Sequence, residues 1–167
     1  MKKTVLALSI ASLMALSATA AHAQIIRGAR DNVAGGVTAG GAHDVRGPNG
    51  GRTVGEGGVV TIGDGAGVAG SRGCGRTAAG GRGCGAGSTV RDEDGSISHE
   101  QSAYGRGAFG NTASTQGSFE RDEDGDWSGD RNSQVNVGDR TYSVDTTFES
   151  GDGWERDVEC SGSGCPR

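Results

Sequence analysis

Around Gly138-Asp139 the chain alternates apolar and polar positions with a period of two: Val135 and Val137 lie before the pair, and Tyr142, Val144, Thr146 and Phe148 follow it. Period two marks a strand with one face turned from water, and a two-residue Gly/Asp step between two such runs marks a tight hairpin. The pattern sets Val135 opposite Tyr142. The same logic recurs at intervals of about thirty residues. Ser88-Thr89-Val90-Arg91-Asp92-Glu93-Asp94-Gly95 returns as Ser118-Phe119-Glu120-Arg121-Asp122-Glu123-Asp124-Gly125, and a worn third copy runs from Thr147-Phe148-Glu149 to Gly151-Asp152-Gly153. Each copy flanks an Asp/Gly reversal with bulky residues: Val90 with Ile97, Phe119 with Trp127, Phe148 with Trp154. Asp and Gly accept the backbone of a tight turn, and the flanking side chains can pack across the strand pair. Residues 88–167 therefore read as a meander of about six short antiparallel strands, with an apolar face and a Ser/Thr/Asp/Arg face.

Before Ser88 the patterning fades. Residues 24–87 are Gly, Ala, Val and Arg without helical periodicity, and glycine recurs too often for a helix to absorb its penalty of about 1 kcal/mol at each position. The one strand candidate here is Val54 to Ile62, ending in Val59-Val60-Thr61-Ile62. The expected fold class is thus mostly disordered with β elements: a low-complexity, glycine-rich N-terminal half, β-hairpin repeats in the C-terminal half, and a helix only in the first 23 residues.

Those 23 residues combine Lys2 and Lys3, an apolar run from Val5 to Leu16, and Ala21-His22-Ala23. A basic start, a short apolar stretch and small residues at the scissile positions constitute an export signal, and the run is too short to span a bilayer. Cleavage is expected between Ala23 and Gln24. Every Leu, Met and Lys of the chain leaves with the signal, so the mature protein has only Val, Ile, Phe, Tyr and Trp from which to build a core, against 34 glycines. This shortage is the physical basis for expecting disorder.

Export changes the reading of the cysteines. Cys74, Cys84, Cys160 and Cys165 would meet oxidising conditions, in which thiols pair. Three pairings are open; closure of the nearest neighbours, Cys74 with Cys84 and Cys160 with Cys165, is the simplest. No Cys-x-x-Cys pair and no neighbouring His support a metal site instead.

Charge divides the mature chain. From Gln24 to Arg91 eight Arg face four acidic residues, whereas from Asp92 onward six Arg face seventeen. The acidic balance disfavours nucleic acid and membrane insertion as partners. It also raises a cation-binding alternative, because Asp122, Asp124, Asp126 and Asp130 alternate carboxylates that can converge on Ca²⁺. A helix-loop-helix calcium loop would require Gly where Trp127 stands and Glu where Ser133 stands, and turn formation accounts for the same residues. Arg72, Arg76 and Arg82, set among glycines, resemble Arg-Gly tracts that touch phosphates, but no aromatic residue lies between them. His43 and His99 each stand alone among flexible, polar neighbours, so catalysis is not expected.

Gly47-Pro48-Asn49-Gly50-Gly51, the Arg-Asp-x-Asp-Gly turns, Thr141-Tyr142-Ser143 and the late Cys160 together resemble small Gly/Ser/Asp-rich exported proteins of Gram-negative bacteria. The resemblance implies a free periplasmic or extracellular protein and no particular activity. The leading expectation is a non-catalytic protein with a structural or interaction role at the cell envelope, able to self-associate through edge strands. The alternatives are a Ca²⁺-binding β-repeat module and a secreted peptide toxin or antimicrobial precursor.

Overall fold

A computed structural model describes residues 22–63 and 65–165. The described chain is one ten-stranded antiparallel sheet in which every strand pairs with the next in sequence. The strands are β1 (His22–Asp31), β2 (Val37–Arg46), β3 (Arg52–Thr61), β4 (Gly67–Arg76), β5 (Arg82–Arg91), β6 (Ile97–Arg106), β7 (Thr112–Arg121), β8 (Trp127–Val137), β9 (Arg140–Glu149) and β10 (Gly153–Ser161). The expected disorder of residues 24–87 and the confinement of hairpins to the C-terminal half are both overturned: β1 to β4 and most of β5 lie in the glycine-rich half. The expected boundary between residues 87 and 88 falls inside β5. No helix occurs among the described residues, and the expected signal helix lies almost wholly in residues 1–21, outside them.

The glycine-rich half folds because its glycines are spaced to turn the chain. Gly35, Gly50, Gly65, Gly80, Gly95, Gly110 and Gly125, fifteen residues apart, all adopt positive φ, between 76° and 96°. L-residues with a Cβ resist that conformation and glycine does not. In each turn the first residue exchanges backbone hydrogen bonds with the fourth and fifth, as in Gly50 N–H to the Gly47 carbonyl at 3.1 Å and Gly47 N–H to the Gly51 carbonyl at 2.8 Å. The chain thus reverses every fifteen residues from β1 to β8, and the thirty-residue sequence repeat is two strands of this frame. Beyond β8 the frame tightens to the two-residue turn at Gly138-Asp139, with Val137 opposite Arg140 and Val135 opposite Tyr142.

The sheet is a single layer. Among the described residues Ala66 is the only buried apolar side chain. Backbone ladders on both sides of β2 to β9, cross-strand side-chain pairs and the Cys74–Cys84 disulfide between β4 and β5 hold the strands where a second layer would ordinarily do so. On one face of β7 to β10 the rings of Phe119, Trp127, Phe148 and Trp154 gather, with Phe148 central: its ring centre is 4.8 Å from that of Trp154, 5.6 Å from Trp127 and 6.3 Å from Phe119. The opposite face of these strands carries Ser118, Asp130, Asp145 and their polar neighbours. The expected two-faced C-terminal meander is present. Phe148 opposes Trp154 directly, whereas Val90 opposes Ser98 and Ile97 opposes Arg91, so Val90 and Ile97 occupy different faces.

Candidate functional site

Cys74 and Cys84 are opposed on β4 and β5 and form a disulfide, and Cys160 is bonded to Cys165. Two disulfides in one small chain point to folding in an oxidising, exported environment. No helix among the described residues is long and apolar enough to cross a membrane.

The fold does not gather the carboxylates expected to converge on a cation into one metal-holding group. Asp122 opens the β7–β8 turn, where its Oδ1 accepts N–H groups from Gly125 at 2.8 Å and Asp126 at 2.9 Å. Asp124 is exposed within the same turn, as is Asp126 at its end. Asp130 lies farther along β8 and accepts a hydrogen bond from Ser118 on β7. No group of three or more His, Cys, Asp or Glu side chains is placed to hold a metal ion among the described residues. Asp94 is held below the usual carboxylate range by the Ser96 side chain and backbone beside it; the Ser96 N–H donates to Asp94 Oδ1 at 2.8 Å and its hydroxyl to Asp92 Oδ2 at 3.4 Å. His99 shares a hydrogen bond with Thr89 Oγ1 at 2.8 Å, and His43 stands over Gly55 on β3.

The chemistry that the topology does assemble is basic. Arg46 on β2 opposes Arg52 on β3, Arg52 opposes Arg76 on β4, Arg76 opposes Arg82 on β5, and Arg82 opposes Arg106 on β6. Five arginines on five consecutive strands therefore form one row, on one face and at one end of the sheet. Only Arg52 has an acidic partner: its Nε donates to Asp44 Oδ1 at 2.9 Å and its Nη2 to Oδ2 at 2.6 Å. This pairing holds the Asp44 carboxyl below its ordinary range. Arg46, Arg76, Arg82 and Arg106 are exposed. Arg72, which sequence reading groups with Arg76 and Arg82, lies deeper on the same face and donates to Glu56 at 2.5 Å.

Immediately inside the row is a shallow, open depression of about 620 Å³, floored by Val54, Cys74 and Cys84 and walled by Tyr104. Sequence reading finds Arg76 and Arg82 but not Arg46, Arg52 or Arg106. The separations alternate between a short step across a turn and a long step along two strands and a turn, which becomes a signal only once the fifteen-residue frame is recognised.

No protein-family model matches the chain, and neither the curated proteins nor the solved structures yield a match.

Proposed function

We propose that this chain is an exported, non-catalytic protein of the cell envelope or its exterior, that it works through the surfaces of its sheet, and that two copies join through β1. The observation that carries the reading is the contrast between the two edges. β1 presents unpaired backbone groups along its outer side, with Ile25 56% and Ile26 62% exposed beside them. β10 carries Glu155, Arg156, Asp157 and Glu159 in sequence, charges of the kind that guard an edge against pairing. An edge that is free of charge from Gln24 to Ile26, with Arg27, Arg30 and Asp31 beyond, set against one charged through its middle, favours a closed, two-fold pair, β1 against β1, over an open-ended fibre. After cleavage at Ala23/Gln24, Gln24 to Asp31 remain available for that pairing. The free periplasmic or extracellular location and the likeness to small Gly/Ser/Asp-rich exported proteins accord with this role.

Sedimentation velocity on oxidised residues 24–167 tests the reading. The expected result is a dimer that dissociates on dilution and is abolished by Ile26→Lys, while Val158→Lys on β10 leaves it intact. A monomer at all concentrations, or a dimer indifferent to Ile26→Lys, overturns it.

A further inference from the structure

We propose that the row Arg46, Arg52, Arg76, Arg82 and Arg106 is a binding site for a linear acidic polysaccharide lying across strands β2 to β6. Like charges placed directly opposite on neighbouring strands destabilise a sheet. Here four such pairs follow one another, and Asp44 is the only carboxylate bonded within the row. The arrangement works against the fold and leaves four exposed guanidinium groups to be neutralised from outside.

The geometry selects an extended ligand. Neighbouring strands lie about 4.8 Å apart, so five positions span about 19 Å in a line. A single small anion would require donors that converge, whereas a line of evenly spaced groups suits a polymer carrying a carboxylate on successive units. Guanidinium forks hold carboxylates in a bidentate manner, adding direction to charge. The depression beside the row supplies an apolar shelf of Val54 and the Cys74–Cys84 disulfide, and Tyr104, 64% exposed, offers a ring face to the C–H side of a sugar.

The charge of the remaining sheet reinforces the placement. The three turns beside the row, 47–51, 77–81 and 107–111, contain no charged residue. The turns at the far end, about 30 Å away along the strands, include Asp92-Glu93-Asp94, Asp122-Glu123-Asp124 and Asp152. A polyanion is repelled from that end and admitted at the other, even though the chain as a whole is acidic. A single-stranded nucleic acid would be held by several stacked bases. On this face of β1 to β6 Tyr104 is the only aromatic residue, and the disulfides place the protein in an oxidising compartment.

The test is titration of oxidised residues 24–167 with a polygalacturonate oligomer, alongside neutral dextran, a single-stranded DNA oligomer and the protein alone at matched concentration. The expected result is binding of polygalacturonate that weakens as salt is raised and no binding of dextran. Arg76→Gln/Arg82→Gln should weaken it by about a hundredfold, at roughly tenfold for each lost charged contact. Arg121→Gln/Arg131→Gln, which removes the same charge from the other face, should change it less than about twofold. Far-UV circular dichroism of both variants confirms that the sheet is retained. Equal losses in the two variants, tighter binding of the DNA, or a row variant that loses only self-association overturns the proposal.

Discussion

The Phe148 ring lies across Gly129, the residue that β8 places between Phe119 and Phe148 in one cross-strand row. A Cβ at position 129 would collide with the ring. The absent side chain lets aromatic residues two strands apart meet, and it centres the cluster that joins β7 to β10. Gly129→Ala should therefore displace Phe148 and destabilise the sheet by about 1 to 3 kcal/mol, as overpacking does elsewhere. Chemical denaturation followed by tryptophan fluorescence measures the loss, because Trp127 and Trp154 both border the ring. An unchanged midpoint would show that the cluster contributes nothing to stability.

Neutralising the arginine row should have the opposite sign. With its like-charged neighbours Arg52 and Arg82 on either side, Arg76 opposes the strand pairing that surrounds it. Arg76→Thr removes that repulsion and introduces a good strand former, so the thermal midpoint should rise by roughly 1 to 4 °C. The gain should be larger at low salt, where repulsion is least screened. A fall in the midpoint at low salt would mean that Arg76 contributes to the fold itself.

Acid should weaken the sheet in a defined window. Asp44 beside Arg52, Asp94 beside Ser96 and Asp139 beside Ser163 all have folded-state values below the ordinary 3.8, each chiefly because of the hydrogen bond its neighbour donates. A carboxylate depressed in the folded state contributes stability above its unfolded value, and that contribution fades as pH falls through the folded one. Stability attributable to these groups should be constant above about pH 5 and decline below about pH 4. Asp44→Asn should reduce the acid sensitivity, by a small amount because the pair is solvent-exposed. Thermal midpoints measured from pH 7 to pH 2 for both proteins give the comparison.

Reduction should loosen the middle of the sheet before its ends. The Cys74–Cys84 bridge joins directly opposed positions on β4 and β5, where small side chains supply little packing, and closes a loop of sequence separation 10. Cys74→Ser/Cys84→Ser should cost about 2 to 3 kcal/mol. Amide exchange should accelerate first in β4 and β5, while β8 and β9, held by the aromatic cluster, stay protected. Uniform acceleration along the chain would show instead that the sheet opens as one unit.

The residues differ in how plainly they announce their places. Gly138-Asp139, with period-two runs on either side, yields the β8–β9 hairpin and the Val135–Tyr142 pair because a two-residue turn leaves a single register. Phe148 and Trp154 meet as expected because the three-residue turn 150–152 sets Gly153 opposite Glu149 and hence Trp154 opposite Phe148. Val90 and Ile97 do not, since the five-residue turn from Asp92 to Ser96 places Ile97 opposite Arg91 and sends Val90 to the other face. The aspartates of the β7–β8 turn read first as turn residues, with cation ligation as the alternative; the Asp122 hydrogen bonds to Gly125 and Asp126 assign that residue to the turn. Counting glycines one by one as costs to order hides the even spacing of Gly35, Gly50, Gly65 and Gly80, and hence the strands between them.

The local chemistry of the chain was enough to determine the β character and turns of the C-terminal half and the scarcity of core, and it made the nearest-neighbour disulfides the simplest of three open pairings, because each depends on residues close together in sequence. Tertiary structure decided that the glycine-rich half joins the same sheet, that Gly129 makes room for Phe148, and that five scattered arginines stand in a row. These relationships arise from strand register, which brings residues 24 positions apart within one strand spacing and has no counterpart in local composition.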